Sequence, residues 1–255
     1  MEKLFKNKTV LISGGLGDIG FAIALEFARN GANIALCDLQ PVQVASVFLK
    51  RLKQHSVLCT YHNVDVTDAN AVNNWVIEIE NKMGVASIII PNAATVTLAG
   101  TQDVTSAQWS RELRVNLDGA FHLAQSATNR LLYHKQPGRV TFIGSWAAYT
   151  PDVNIPTYCV AKAGLRMLCK CMALELAPHD ILVNELAPGY VEAGLSADLW
   201  KNDPGASEIA LQKVPVRRVM SAEQVAAQVL LLCHPNNIHM TGSTILMDGG
   251  LSLRS

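Results

Sequence analysis

The chain has 255 residues, 49% of them hydrophobic, and its 21 Lys and Arg balance 21 Asp and Glu. A chain this long and apolar can bury a large core, and its composition carries no sign of disorder. The neutral balance, with no basic excess and no acidic tail, gives no reason to expect a nucleic-acid partner.

Taken in order, the first element is a short apolar strand, Thr9 to Ser13, followed by Gly14-Gly-Leu-Gly-Asp-Ile-Gly20 and a helix from about Asp18 to Arg29. Asn30-Gly31 closes that helix, since both residues tolerate left-handed geometry. A strand from Asn33 to Cys37 leads to Asp38, and Pro41 to Gln54 reads as a helix with Pro in its first turn. Ser56 to Tyr61 reads as a strand, and Asp68 fits as the N-cap of a helix ending at Met83-Gly84. Ala86 to Ile90 reads as an apolar strand, polar only at Ser87, that ends in Pro91-Asn-Ala-Ala94, and one long helix is expected over Ser106 to Tyr133. Then come a strand, Arg139 to Ile143, a helix from Thr157 to Ala177, and a strand, Ile181 to Leu186, leading to Pro188-Gly-Tyr-Val191. Residues 194–214 read as an irregular polar loop, the only one long enough to act as a lid. A helix from Ser221 to Cys233 and a strand from Ser243 to Met247 close the chain. Strands that alternate with helices and are apolar throughout imply a parallel sheet covered on both faces. No repeat and no linker interrupts the pattern, so one domain is expected over 1–255. Its dinucleotide-binding half is about 1–150 and its catalytic half about 140–255.

The stretch from Gly144 to Lys162 carries the chemistry. Ser145 falls at the end of an apolar strand. Tyr158 and Lys162, four residues apart near a helix start, share a face. A free phenol has a pKa of about 10 and is a poor base at neutral pH. A nearby ammonium is expected to lower that value and make Tyr158 a proton carrier, with Ser145 holding the oxygen of an alcohol or carbonyl. Alone, a Y-x-x-x-K match also fits an ordinary helix-surface pair. The glycine stretch follows a strand and opens a helix, the context in which a backbone cradles a pyrophosphate. Asp38, at the end of the second strand, can accept the ribose hydroxyls of NAD and would repel a 2′-phosphate. It also fits a plain helix cap.

The six Cys, Cys37, Cys59, Cys159, Cys169, Cys171 and Cys233, form no C-x-x-C pair and suit a reducing compartment. His122, His134 and the other His residues show no metal spacing, so no metal is expected. The N-terminal apolar run is too short for a signal peptide and no segment is long enough to span a membrane. The default location is the cytoplasm.

With Ser145, Tyr158-Cys-Val-Ala-Lys162 and Asn116 within Arg114-Val-Asn-Leu117, the chain resembles a classical short-chain dehydrogenase/reductase from about Phe5 to Leu253. The resemblance implies a single-domain, Rossmann-like doubly wound sheet of seven parallel strands with helices on both faces. It implies a catalytic set of Asn116, Ser145, Tyr158 and Lys162. Tyr158 is then the acid/base, Ser145 orients the substrate oxygen, Lys162 binds the nicotinamide ribose and Asn116 holds the long helix open around a water. It implies an NAD site built from Gly14, Gly17, Asp18, Ile19, Gly20, Asp38, Leu39, Asp65, Val66, Asn92, Ala93, Ala94, Tyr158, Lys162, Pro188, Gly189 and Val191. By the same analogy, Ser145, Trp146, Tyr149, Asn154, Tyr158, Tyr190 and the 194–214 loop face the substrate, and the protein is a homotetramer or dimer. Departures stand out in three motifs. Ser13 replaces a Thr, and Asp18 replaces the middle glycine, where it either caps the helix or crowds the phosphates. Ala94 replaces a Gly. Ala193 also stands where the family has a Thr; the Val191 backbone or Ser196 is left to hold the carboxamide. The leading expectation is NAD-dependent oxidation of a secondary alcohol that is a sugar, polyol or cyclic alcohol. The alternatives are a 3-oxoacyl thioester reductase using NADPH and a non-catalytic dinucleotide-binding scaffold.

Overall fold

The structure, a computed structural model, describes residues 3–194 and 204–253. Its strands are β1 (Thr9–Ser13), β2 (Asn33–Asp38), β3 (Cys59–Asn63), β4 (Ile88–Ile90), β5 (Gly138–Ile143), β6 (Ile181–Pro188) and β7 (Thr244–Met247). All pair in parallel, in the order β3-β2-β1-β4-β5-β6-β7. The helices are α1 (Asp18–Arg29), α2 (Val42–Lys53), α3 (Ala69–Met83), α4 (Ser106–Leu113), α5 (Gly119–His134), α6 (Pro156–Leu176), α7 (Pro204–Lys213) and α8 (Ala222–Leu232).

The apolar strands are buried on both faces, and their alternation sorts residues between two cores. Val10 and Ile12 join Phe21, Ile23, Phe27, Val225 and Val229 beneath α1 and α8. Leu11, between them, turns the other way and joins Trp75, Ile79, Leu123 and Leu165 beneath α3, α5 and α6. Ile34 and Leu36 divide from Ala35 and Cys37 in the same manner. The strand order reverses at β1, between β2 and β4. A ligand crevice is expected at the carboxyl ends of the strands at such a point.

Several boundaries differ from the sequence expectation. Ser56 sits at φ 58, a left-handed turn residue, so β3 starts only at Cys59, opposite Ile34. β4 is confined to the three residues that pair with Val10–Ile12. The long helix is interrupted: Arg114–Asp118 forms a π-helical turn between α4 and α5. Pro41 precedes α2 as its cap residue rather than lying inside it. The polar 194–214 stretch contains α7, where residues with good helix propensity follow Pro204. Residues 195–203 of that stretch, including Ser196, lie outside the described residues.

Asp68 caps α3 as expected, accepting the Asn70 and Ala71 amides at 2.9 and 3.0 Å. Asp68→Ala is expected to lower stability by about 1 kcal/mol, the usual worth of an N-cap side chain. Urea unfolding checks this; an unchanged midpoint would mean that the two amides find equal partners in water.

Candidate active site

The glycine turn is set first. Gly14 adopts φ +63, and a Cβ on Gly20 would run into the Gly14 carbonyl, so the turn packs too tightly for side chains at either position. The turn is tied to two strand ends. The Leu16 amide donates to Asp38 Oδ2 at 3.1 Å. Ser13 Oγ accepts the amides of Asn92 and Ala93 at 3.1 and 3.2 Å, while Asn92 Nδ2 donates to the Ser13 and Gly14 carbonyls. A hydroxyl is all that this position uses, which accounts for Ser13 in place of Thr.

Asp18 does not cap α1; Gly17 is the cap residue and no side chain serves it. Asp18 Oδ2 instead accepts the Gly194 amide at 2.8 Å, tying the glycine turn to the segment that follows β6. Of the two readings the sequence left open for Asp18, the helix cap does not form: the carboxylate takes the Gly194 amide instead.

Across the sheet, Ser145 stands two residues past the end of β5 and its Oγ accepts the Ala147 amide at 3.1 Å, opening a short 3₁₀ turn, Trp146–Ala148. α6 begins with Pro156 in its first turn and presents Tyr158 and Lys162. Lys162, only 2% exposed, donates to the Ile143 carbonyl at 2.7 Å. Its ammonium lies 5.4 Å from the centre of the Tyr158 ring. Asn116, in the π turn, receives the Thr95 amide at 3.0 Å and donates to the Thr95 carbonyl at 2.8 Å. Single widened turns of this kind recur at functional sites.

The electrostatics correct one expectation. Burial pushes the Tyr158 phenol up to about 12; a hydrogen bond with Ser145 pulls it down, and the charges of Glu112 and Cys159 push it further up. The Lys162 ammonium donates to the Ile143 carbonyl, and the phenol's own hydrogen bond is with Ser145. Burial also pulls Lys162 down to about 8, with Glu185 opposing. Desolvation favours the neutral form of each. The phenol of the free protein is therefore protonated, not primed as a phenolate.

One cavity of about 1080 Å³ collects nearly all the expected residues. Gly14, Gly17, Asp18, Ile19, Gly20, Asp38, Leu39, Asp65, Val66, Asn92, Ala93, Ala94, Pro188, Gly189 and Val191 line it, with Ser145, Trp146, Asn154, Tyr158, Lys162 and Tyr190. Asn116 is buried behind the wall rather than on it. Tyr149 faces elsewhere, its ring 3.4 Å from the Arg166 guanidinium carbon. Apolar side chains, Val96, Leu98, Val115, Ile155 and Ile209, line it beside the polar Arg111, Asp152, Asn154 and Lys213, and Trp146 packs edge-on against Tyr190 at 5.4 Å.

The sequence reading missed Glu112. It is fully buried, one turn before Asn116, and accepts the Thr97 amide at 2.9 Å. Burial raises its carboxyl pKa. A lone acid on the buried side of α4, four residues before Asn116, was the available signal. Arg111, Lys162 and Lys213 are the cavity's Lys and Arg among the described residues, and they come from α4, α6 and α7. None comes from the β1–β3 end, where Asp38 stands. These residues fit a nicotinamide dinucleotide: a turn too tight for side chains, at a helix N-terminus, with a carboxylate closing one end of the crevice. Among the described residues no group of His, Cys, Asp and Glu fits a metal, and no helix is long and apolar enough to cross a membrane.

A hydroxyl, a phenol and an ammonium converging on a crevice of this shape mark out an oxidoreductase fold, and the comparisons with known proteins agree. A family model described as enoyl-(acyl carrier protein) reductase matches residues 15–252. The chain is 28% identical to 2,3-dihydro-2,3-dihydroxybenzoate dehydrogenase of Bacillus subtilis (strain 168), over 98% of each. It is also 28% identical to 3-oxoacyl-(acyl-carrier-protein) reductase FabG of Aquifex aeolicus (strain VF5), over 98% of this chain and all of that one, 100%. Among solved structures, NAD⁺-bound xylitol dehydrogenase superposes with a TM-score of 0.90 at 27% identity, over 96% of this chain and 99% of that one. The chain belongs to the classical short-chain dehydrogenase/reductases.

Ser13→Ala leaves two strand-end amides without their acceptor, a loss of about 1–3 kcal/mol when a buried donor goes unpaired. The expected outcome is a lower Tm and weaker dinucleotide binding, while Ser13→Thr keeps both. Calorimetry and NADH titration check this; equal behaviour of the two variants would contradict the role given to the hydroxyl.

Proposed function

We propose that this protein is an NAD-dependent dehydrogenase that interconverts a secondary alcohol and its ketone. The observation that carries the reading is the meeting of Ser145, Tyr158 and Lys162 in one cavity with the glycine turn and Asp38. A bound nicotinamide dinucleotide supplies the hydride acceptor or donor. Tyr158 moves the proton at the substrate oxygen, Ser145 holds that oxygen, and Lys162 would bind the nicotinamide ribose. Asn116 steadies the chain after β4 through Thr95.

NAD rather than NADP is favoured by Asp38. Its carboxylate suits ribose hydroxyls, and no Lys or Arg among the described residues stands at that end of the cavity to take a 2′-phosphate. The apolar part of the lining, Val96, Leu98, Val115, Ile155 and Ile209, favours a cyclic or partly apolar secondary alcohol. The same lining also suits the acyl chain of a 3-oxoacyl thioester, so reduction of such a thioester is the second reading. Val160, Met167 and Leu174 form an exposed apolar row on α6, and Leu246 is exposed on the edge strand. Both features support a homotetramer or dimer.

Tyr158→Phe removes the acid/base and is expected to lower kcat by about 10²–10⁴-fold with folding unchanged; a variant with wild-type turnover would end the reading. The pH dependence has a definite sign. A phenol raised to about 12 is protonated at neutral pH, the form that donates to a ketone oxygen, and its phenolate grows only as pH climbs. Ketone reduction is expected to be supported at neutral pH and to fall with rising pH, while alcohol oxidation rises; rates that ignore pH in both directions contradict the role of Tyr158. Asp38→Ser is expected to shift kcat/KM toward NADP by roughly tenfold or more, about 1.4 kcal/mol. A wild-type enzyme that already prefers NADP would favour the thioester reading.

A further inference from the structure

Glu185, fully buried, and Arg166, half-buried, form an ion pair that the chemistry above does not use. Glu185 lies on β6, fully buried, and Arg166 lies on α6 one turn after Lys162. Arg166 Nε donates to Glu185 Oε2 at 3.1 Å, and Thr244 Oγ1 from β7 donates to the same oxygen at 2.6 Å. The other oxygen, Oε1, has no partner and presses on the backbone at Gly144, where any Cβ would overlap it. The rest of the guanidinium reaches the turn after β5. Nη1 donates to the Ala148 carbonyl at 3.2 Å, Nη2 lies 3.4 Å from the Ser145 carbonyl, and the plane stacks on Tyr149. The pair therefore holds Gly144 from one side and Ser145 to Tyr149 from the other.

We propose that Arg166 and Glu185 are positioning residues, a brace that sets the Ser145 turn and the end of β5 to which Lys162 is bonded. The assignment rests on the proposed role of Ser145 and Lys162. Lys162 is bonded to the carbonyl of Ile143, and the next residue is the glycine against which Glu185 leans. The groups that face Glu185 are Arg166, Lys162 and Cys169 from α6 and Thr244 from β7. Its charge raises the pKa of Lys162 against the pull of burial and also raises that of Cys169. Without it, the amine would lose its proton at a lower pH. Gly144 follows from the same arrangement: the carboxylate occupies the space that a side chain at 144 would need. Arg is required rather than Lys because one planar fork serves a carboxylate, two carbonyls and a ring face together.

The test uses the full chain without ligand, labelled with ¹³C-lysine, and follows the Lys162 resonance, assigned with Lys162→Met. Glu185→Gln is expected to move the titration of Lys162 down by about one pH unit or more, the effect of losing a close opposite charge. Arg166→Lys is expected to leave that titration in place and lower kcat about tenfold, about 1.4 kcal/mol of barrier, with NADH affinity unchanged. A Lys162 titration that stays put in Glu185→Gln, or full turnover in Arg166→Lys, would overturn the proposal. If the Gln variant does not fold, Gly144→Ala carries the test. It should lower Tm by several degrees alone, and adding Glu185→Asp, which withdraws the carboxylate by one methylene, should restore most of the loss. No restoration would also overturn the brace. The titration and the Tm need no turnover, so a failure here is distinguishable from failure of the dehydrogenase reading.

Discussion

The bond from the Lys162 ammonium to the Ile143 carbonyl, 2.7 Å long and almost wholly out of water, is the constraint on which the site depends. It pins α6 to the end of β5. Ser145 stands two residues beyond that carbonyl, and Tyr158 stands one turn before that lysine. A buried cation is costly unless it is hydrogen-bonded and faced by opposite charge. Here the carbonyl supplies the first and Glu185 the second. The sheet contributes rigidity: β5 pairs with β6 as far as Ile143, and on the other side, past the end of its pairing with β4, the Ile143 amide donates to the Pro91 carbonyl at 3.2 Å.

Burial acts on the two catalytic candidates in opposite numerical directions for one physical reason. Water is excluded, and each group is pushed toward its uncharged form. The phenol is raised to about 12 and the amine is lowered to about 8. The free protein thus stores Tyr158 as an acid. The phenol's remaining contact of note is Ser145, whose hydrogen bond favours ionisation. A positive charge arriving beside the ring would push the same way, which couples proton transfer to the occupancy of the crevice.

Much of this was legible in the sequence because it is local. Thr9–Ser13, the α1 boundaries and the Asp68 cap follow from apolar runs and capping chemistry alone. The Tyr158 and Lys162 spacing places them on one helix face without any tertiary information. What escaped is what depends on distant partners. Asp18 reads as a helix cap until Gly194 comes within 2.8 Å of it. Tyr149 reads as a substrate-facing ring until Arg166, seventeen residues on, claims its face. The π turn at Asn116 arises from pairing with Thr95, on a different element, and no periodicity signals it. Glu112 and Glu185 are charged residues inside apolar surroundings, and only the fold reveals that they are held there by an amide and a guanidinium.

The central claim is that a buried lysine, tied to the end of β5, completes a dinucleotide site shared with Tyr158. The most direct measurement is a fluorescence titration with NADH, wild type beside Lys162→Met. The account predicts saturable enhancement and a blue shift of nicotinamide emission in the wild type. It predicts binding weakened at least about tenfold, or about 1.4 kcal/mol, in the variant. Equal affinity in the two proteins, or no binding by either, would contradict it.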